Sequence, residues 1–329
     1  MTKTRLFHSN ANGLIEHDHN RDGIDRRGFL KCMAWAGTGA LCLIEGGVLK
    51  SFALGTRNAS QVQSHEVAGR LTFVQISDSH MGFNKPANPD VIGTLKAAVD
   101  KINALPQRPE FILHTGDISH LSSPDEFDTV DQILTATHTP IFFVPGEHDV
   151  LNDDGKTFRE RYAKNSKGAG WYSFDKNGVH FIGLVNVMNL KAGGLGTLGN
   201  EQLEWLRDDV KHLPSSTPIV VFAHIPLWTI YPEWGWGTED SAQALSYVKR
   251  FGSVTVLNGH IHQTMQKVEG NVTFHTAFST AFVQPAPGKA DGPGPMKVPG
   301  DQLRSLLGIT DVNYVQGRHA LALVDASLA

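Results

Sequence analysis

Five short apolar segments of this 329-residue chain each end at a residue that can bind a metal ion. They are followed by Asp78 and His80, by Asp117, by Glu147 and His148, by His224, and by His260 and His262. Segments of this length that are rich in Val, Ile and Phe predict β-strands, and the helix-like stretches between them predict an α/β fold. Because sites in α/β sheets form at the carboxyl ends of strands, we expect the five ends to meet at one edge.

The side chains at these ends predict a metal site rather than a simple polar cluster. Three carboxylates packed together would raise one another's pKa and would not all stay ionised without a cation. Mixed carboxylate and imidazole ligands are typical of Zn, Mn, Fe or Co rather than of a thiolate site. Seven ligands suit two ions that share a carboxylate, and two ions about 3.5–4 Å apart can activate water for an in-line phosphoryl displacement.

The N-terminal region has the order of residues that is typical of an export signal. Arg26 and Arg27 are followed by an apolar stretch over residues 33–49 and by a small-x-small site at residues 51–53. This order predicts a twin-arginine signal peptide and entry segment in residues 1–54, ahead of a single domain in residues 55–329.

This signal predicts recognition by the twin-arginine export machinery and a periplasmic or extracytoplasmic location. Glu45 and four glycines make the apolar stretch a weak membrane span, so we expect no stable membrane anchor. Residues 1–55 hold seven basic and five acidic side chains, and the rest of the chain holds 22 basic and 28 acidic ones. That acidic balance argues against a nucleic-acid polymer as substrate and is compatible with a small phosphoester.

Periodicity and turn residues predict the elements between the strand ends. Helices are expected over residues 89–105, 123–136, 200–207 and 239–251. Two hairpins are expected over residues 171–184 and 265–275, because Asn177-Gly178 and Gly270-Asn271 are turn sequences. Residues 285–300 hold five prolines and four glycines and predict a loop or lid, and residues 320–325 predict a closing strand.

Taken in order, Asp-x-His, Gly-Asp, Gly-x-His-Asp, His and Gly-His-x-His resemble the calcineurin-like metallophosphoesterase family over residues 70–275. The resemblance implies a four-layer α/β/β/α sandwich of two mixed β-sheets flanked by helices, with two metal ions bound between the sheets. It implies that Asp78, His80 and His262 bind the first ion, that His224 and His260 bind the second, and that Asp117 bridges them. His148 takes the position of the family's catalytic histidine, which stabilises the transition state or protonates the leaving oxygen.

Glu147 stands where the family usually has an Asn whose amide oxygen binds the second metal ion. We predict that Glu147 is also a ligand, which makes the metal pair less cationic and favours a more highly charged second ion such as Fe(III). In the alternative interpretation its carboxylate repels the substrate phosphate. The predicted cofactors are therefore two divalent or mixed-valence transition metal ions, chosen from Mn, Fe and Zn.

Other histidines and aromatic residues have a structural and a functional interpretation. A lone strand histidine is usually a core or surface residue, which we apply to His114, His138, His180, His212 and His275. His120 follows Asp117 by three residues and is expected near the site, and Asp149 is expected to accept hydrogen bonds there rather than to bind metal. Trp234 and Trp236 either pack beneath a long loop or form an aromatic wall that binds the substrate.

The motifs narrow the expected reaction. The segment Gly-Asp-Ile-Ser-His-Leu-Ser departs from that of the family's Ser/Thr protein phosphatases, and His120 replaces the Tyr of purple acid phosphatases. The short motifs are more similar to the bacterial cyclic-nucleotide and glycerophosphodiester phosphodiesterases. The resemblance therefore implies a phosphodiesterase whose nucleophile is a metal-bridging hydroxide. Alternatives are a phosphomonoesterase and a non-catalytic relative that binds metal or senses a ligand.

Overall fold

The structure is a computed structural model that describes residues 40–45, 48–53, 69–317 and 321–329. The chain divides into two compact units, Met1–Glu66 and Val67–Ala329. In the first unit, β1 (Ala40–Glu45) and β2 (Val48–Ala53) form an antiparallel hairpin. The Arg-Arg pair on which the export signal depends lies outside the described residues. Within the described part of the chain, no helix has the length and apolar character needed to cross a bilayer.

The second unit contains two mixed β-sheets. The first has the strand order β13-β12-β3-β4-β5. Strands β3 (Arg70–Ile76), β4 (Phe111–His114) and β5 (Ile141–Phe143) are parallel to one another. On the other side of β3, strand β12 (Gly308–Val315) pairs antiparallel with β3. Strand β13 (Ala322–Ser327) in turn pairs antiparallel with β12. The first three predicted strand ends therefore belong to one sheet and leave it in the same direction.

The second sheet has the strand order β10-β11-β9-β8-β7-β6. Both predicted hairpins are confirmed at its two edges, and Asn177 and Gly178 have φ angles of 49° and 78°, as a two-residue turn with left-handed residues requires. Strands β7, β8, β9 and β11 are parallel. The strands are β6 (Tyr172–Lys176), β7 (Val179–Gly183), β8 (Ile219–Phe222), β9 (Val254–Asn258), β10 (Met265–Glu269) and β11 (Val272–Thr276).

The four predicted helices are confirmed, three with shorter bounds and the one that begins at Asn200 with a longer range, and two short helices were not predicted. Helix α2 begins with a capping box in which Ser123 and Glu126 satisfy each other's backbone N–H groups. Helix α4 has no side-chain cap because Gly199 precedes its first residue, and Asp240 accepts the N–H groups of Leu198 and Gly199 just before it. The helices are α1 (Val91–Asn103), α2 (Pro124–Leu134), α3 (Lys156–Tyr162), α4 (Asn200–Val210), α5 (Ser241–Val248) and α6 (Leu303–Leu306).

Successive side chains along each strand point to opposite faces of the sheet and pack in different layers. On β3, Leu71 and Phe73 belong to the core between the two sheets, whereas Val74 and Ile76 pack with helices α1 and α2. The outer face of the second sheet packs on α4 and α5 in the same way. Because successive strand residues point to opposite faces, runs that are apolar on both faces require a cover on each side. Helices thus flank two packed sheets, as predicted.

Strand β12 was not predicted from the sequence, although it pairs with β3 over six residues. Its buried apolar residues, Ile309, Val312 and Tyr314, have no regular period of two, because the fully buried Thr310 and the partly buried Asp311 come between them. The polar side chains are tolerated there because Thr310 Oγ1 donates to the carboxylate of Asp325 on β13. The predicted closing strand is thus the outer neighbour of a strand that the pattern did not reveal.

Candidate metal centre

All seven residues predicted as metal ligands are brought together at the carboxyl ends of β3, β4, β5, β8 and β9. Their ligand atoms form overlapping groups whose members lie within 4.8 Å of one another. Asp117 belongs to groups on both sides of the cluster. The groups are Asp78, His80 and His262; Glu147, His224 and His260; Asp78, Asp117 and His224; Asp117, Glu147 and His148; and His80, His120 and His148.

The first group is almost completely buried. His262 Nε2 lies 3.2 Å from Asp78 Oδ1 and 3.1 Å from His80 Nε2. His80 Nε2 lies 3.4 Å from Asp117 Oδ2. Asp117 Oδ2 is also 3.3 Å from His224 Nε2, so one carboxylate oxygen lies next to an imidazole from each predicted ligand set. This placement is the one that a bridging carboxylate requires.

The second group has ligand atoms that face one another without hydrogen bonding. Glu147 Oε2 lies 3.0 Å from His224 Nε2, and Glu147 Oε1 lies 2.9 Å from His260 Nδ1. Yet Glu147 Oε2, His224 Nε2 and His260 Nδ1 are buried and have no hydrogen-bond partner within the described structure. Buried polar atoms are normally paired, and atoms of this kind converging on one point fit a transition-metal ion.

Backbone carbonyls fix the orientation of two ligand rings. A carbonyl oxygen only accepts hydrogen bonds, so His224 Nδ1–H donates to Thr115 O at 2.7 Å and His262 Nδ1–H donates to Phe282 O at 2.6 Å. In the neutral form of each ring, Nε2 is then the unprotonated nitrogen, and it is directed into the cluster. A carbonyl partner on the second ring nitrogen is the usual arrangement for a metal-binding histidine.

The backbone at the site is held in a conformation that side chains rarely adopt. Five of the seven predicted ligands have φ angles between 40° and 72°, in the left-handed region: Asp78, His80, Asp117, His260 and His262. Such outliers cost about 1–3 kcal/mol each and persist only where the surroundings impose them. A Cβ on Gly146 would lie 2.0 Å from Asp117 Oδ1, so only glycine allows the two loops to approach.

The charges of the cluster favour a cation. Burial lowers the pKa of His224, but the carboxylates of Asp117 and Glu147 outweigh burial and raise that pKa well above its ordinary value. Burial raises the pKa of Glu147, but His260 and His224 outweigh it and hold that pKa well below its ordinary value. The lowered pKa favours the ionised form of Glu147, whose negative charge bound metal ions would offset.

His148 lies beside the cluster with one ring nitrogen occupied. Its Nδ1–H donates to the carbonyl oxygen of His120 at 2.7 Å, and its backbone N–H donates to Asp117 Oδ1 at 3.0 Å. Burial lowers the pKa of His148, but Asp117 and Glu147 outweigh burial and raise it above its ordinary value. The raised pKa favours the protonated ring, whose Nε2–H is not used by the hydrogen bond to His120.

His120 is closer to the chemistry than its sequence position established. Its ring stacks on His148 with centroids 4.8 Å apart, and its Nδ1 lies 3.4 Å from Nδ1 of His80. If Nε2 of His80 is the metal-binding nitrogen, its Nδ1–H donates to His120. His120 thus contacts both a predicted ligand and the predicted proton donor.

Asp149 is a hydrogen-bond acceptor, as expected, and ties two loops together. Its fully buried carboxylate accepts from the backbone N–H groups of Ile118, Ser119 and Gly146 at 2.8–3.1 Å and from Ser119 Oγ at 2.8 Å. Burial and the nearby Asp117 raise the pKa of Asp149 to about 6. These bonds hold the loop that carries Asp117 against the loop that carries Glu147 and His148.

The interpretation of Trp234 and Trp236 as a substrate-binding wall needs correction. Trp236 has no exposed surface and Trp234 keeps 8% of its own. Both pack with Ile261, which lies between two predicted ligands in the sequence. Their burial leaves no aromatic face for a substrate, so we assign them the packing role that supports the loop of His260 and His262.

Phe282 is a site residue that sequence reasoning missed. Its ring lies 4.8 Å from that of His80 and 4.5 Å from that of His262, and its carbonyl oxygen orients His262. It belongs to the segment after β11, which carries no ligand motif. Sequence offered no signal for it, because its role depends on where an irregular loop returns.

Three further histidines make structural contacts outside the ligand groups. His114 is fully buried and lies 2.7 Å from Ser79 Oγ, which supports the segment between Asp78 and His80. His180 is held between Asp175 and Asp209, and His275 pairs with Asp325. None of these three belongs to a ligand group within the described residues.

Comparison with known proteins gives one family profile, described as calcineurin-like phosphoesterase, which matches residues 71–264. The chain is 25% identical over 218 residues to a 3′,5′-cyclic-nucleotide phosphodiesterase of Nostoc sp., covering 64% of this chain and 79% of the relative. It is 25% identical over 237 residues to a serine/threonine-protein phosphatase of Danio rerio, covering 63% and 75%. It is 24% identical over 163 residues to a probable glycerophosphodiester phosphodiesterase of Arcobacter nitrofigilis, covering 48% and 58%.

Solved structures share the fold. A dimetal phosphatase from Danio rerio aligns with a TM-score of 0.60 at 15% identity, covering 79% of this chain and 96% of that one. A purple acid phosphatase from yellow lupin aligns with a TM-score of 0.56 at 12% identity, covering 79% and 52%. At such low identity these similarities establish the architecture alone.

Proposed function

We propose that this chain, which belongs to the calcineurin-like phosphoesterase family, is a metal-dependent phosphodiesterase. One observation carries the proposal: three carboxylates and four histidines converge in a cluster in which ligand atoms of Glu147, His224 and His260 are buried without hydrogen-bond partners, with His148 beside it. Relatives named as cyclic-nucleotide and glycerophosphodiester phosphodiesterases support a diester as the substrate class.

Two metal ions, held by the two ligand groups and Asp117, would supply an activated water and positive charge for the phosphoryl oxygens. We propose Mn, Fe or Zn as their identity, since carboxylate and imidazole donors suit all three. Asp117 positions both groups because its Oδ2 lies within 3.4 Å of a histidine from each. Through its hydrogen bonds to both loops, Asp149 holds the Asp117 carboxylate in position next to Glu147 and His148.

His148 performs the proton transfer. Its ring is oriented by the carbonyl oxygen of His120, so the remaining N–H faces the site and can donate to the leaving alkoxide oxygen. A binding-only site has no need for such a donor. This geometry favours an enzyme over a ligand sensor.

The test compares hydrolysis of bis(p-nitrophenyl) phosphate and p-nitrophenyl phosphate by metal-stripped protein reloaded separately with Mn, Zn or Fe. We expect turnover of the diester that requires metal. Preference for the monoester would favour a phosphomonoesterase instead. No turnover in protein that binds two ions would contradict the enzymatic assignment and favour a metal-binding relative.

We also propose export by the twin-arginine route to the periplasm. The Arg26-Arg27 pair, the apolar stretch and the small-x-small site support this proposal. Replacing both arginines with Lys should retain the protein in the cytoplasm, and cell fractionation measures the result. Equal periplasmic amounts of the variant and the native chain would contradict it.

A further inference from the structure

We propose that Glu147 determines specificity by selecting singly charged phosphodiesters against doubly charged phosphomonoesters. This inference rests on the proposed function and deepens it. In the family motif that this chain resembles, a neutral Asn stands at this position, whereas this chain has Glu147, which adds one negative charge to the candidate metal centre. The charge is the feature that discriminates between the two substrate classes.

Geometry places this charge among the ligands rather than at the rim. Both carboxylate oxygens of Glu147 face imidazole nitrogens, at 2.9 Å from His260 and 3.0 Å from His224. Its Oε2 is buried without a hydrogen-bond partner in the described structure, as expected for an atom directed at a cation. Buried oxygen and nitrogen atoms that approach one another this closely without hydrogen bonding form a donor set that suits a transition-metal ion.

Glu147 is also the carboxylate that a substrate meets. Its side chain is 23% exposed, whereas Asp78 and Asp117 have relative exposures of 0% and 2%. It precedes His148, the predicted proton donor, and both belong to the single helical turn Glu147–Asp149. A phosphoryl group placed for protonation by His148 therefore lies close to the Glu147 carboxylate.

The formal charges of the site and of the two substrate classes set the direction of the Glu147 effect on binding. Two dications and three carboxylates leave a formal charge of about +1, and an amide in place of Glu147 would leave about +2. A phosphodiester carries one negative charge, and a phosphomonoester carries about −1.5 to −2 near pH 7. Coulomb energy scales with the product of the charges. The repulsion between the Glu147 carboxylate and a monoester is therefore about 1.5 to 2 times its repulsion with a diester.

The experiment uses the full chain loaded with Zn, which is redox-inert and fixes both ions as dications. Calorimetry measures the affinity for inorganic phosphate and for dimethyl phosphate in the native chain and in Glu147→Gln, a neutral variant of similar shape. We expect the variant to gain at least about tenfold more affinity for phosphate than for dimethyl phosphate. The ratio of monoester to diester kcat/KM should rise in the same direction.

Matched variants isolate the charge. Glu147→Asp keeps the carboxylate and should retain the native discrimination. If the Gln variant does not hold the second ion, Glu147→Asn replaces it as the neutral variant and should show the same gain in phosphate affinity. Asp208→Asn removes an exposed charge on α4 and should change neither affinity. Metal analysis confirms two Zn ions in each sample.

Two outcomes would overturn the proposal. One is an unchanged preference between the two anions in a neutral variant that binds two Zn ions. The other is an Asp variant that shifts as far as the Gln variant, since this would assign the effect to side-chain shape. If the native chain binds Zn and both anions but does not turn over a diester, the proposed function fails while the charge discrimination is still measured.

Discussion

Two kinds of histidine–carboxylate cluster occur in the described part of this molecule, and they differ in what their nitrogen atoms contact. His180, on β7, has Nδ1 2.9 Å from Asp175 and Nε2 2.9 Å from Asp209, so both ring nitrogens are hydrogen-bonded. His224, just after β8, has one nitrogen bonded to a carbonyl and the other facing Glu147 at 3.0 Å without a hydrogen bond.

The two clusters show that residue types alone do not define a metal site. Both clusters combine His with Asp or Glu at similar distances. The strand cluster satisfies itself, whereas the strand-end cluster leaves buried ligand atoms without partners and holds five residues in left-handed backbone conformations. Unfilled hydrogen-bonding capacity together with imposed strain distinguishes a site prepared for an ion from a structural ion pair.

The largest expected effect comes from Asp117→Asn, which removes the carboxylate that serves both ligand groups. Loss of this ligand should cost several kcal/mol of transition-state stabilisation, or about 10³-fold in kcat/KM for a diester. Steady-state kinetics with excess metal measures it, and thermal unfolding of the metal-free proteins checks the fold. Native-level turnover by the Asp117→Asn variant with two ions bound would contradict the assignment of the strand-end cluster as a metal site distinct from the His180 cluster.

A smaller effect is expected at His120, which contacts the strand-end cluster without belonging to either predicted ligand set. His120→Ala should weaken binding of the first metal ion by about 10- to 100-fold, because it removes the acceptor for His80 Nδ1–H. Competition with a coloured chelator measures the affinity.

Two variants sharpen this test. His120→Asn keeps an acceptor at the position of Nδ1 and should recover most of the affinity, whereas His120→Gln places its polar group farther along the side chain and should not. Equal metal affinity in the Ala variant and the native chain would show that His120 does not position His80.

The smallest effect is expected at His180, in the self-satisfied cluster. Burial lowers the pKa of His180, but hydrogen bonds to Asp209 and Asp175 outweigh burial and raise that pKa above its ordinary value. The raised pKa means that the stabilisation is complete below about pH 6.5, the unfolded value, and is lost as pH rises through the folded value. Asp175 adds little because its side chain is 75% exposed and screened by solvent.

We therefore expect His180→Gln to lower the free energy of unfolding by about 1–2 kcal/mol at pH 6 and by less at pH 9. Urea denaturation at the two pH values measures the difference. Diester turnover should be unchanged, in contrast to Asp117→Asn. A destabilisation that does not depend on pH would contradict the charged hydrogen bonds assigned to this histidine.

The sequence predicted most strands of the two large sheets, the four longer helices and the seven residues that the fold brings together. It did so because the period of two, the capping residues and the position of a ligand after an apolar run are local signals. Asn177-Gly178 predicts its turn from two residues, and Ser123 with Glu126 predicts a helix start from four. The four-layer arrangement followed from the family resemblance, and the packing on both faces of each sheet confirms it.

The neighbours of the predicted metal ligands depend on the tertiary structure and could not be read from local sequence patterns. Phe282 and His120 reach the metal centre through loops, Trp236 is buried where the sequence allowed an exposed wall, and β12 has no regular apolar period. These facts depend on contacts between segments far apart in the chain. Local patterns specify what a segment buries, but the free energy of packing whole layers decides what it is buried against.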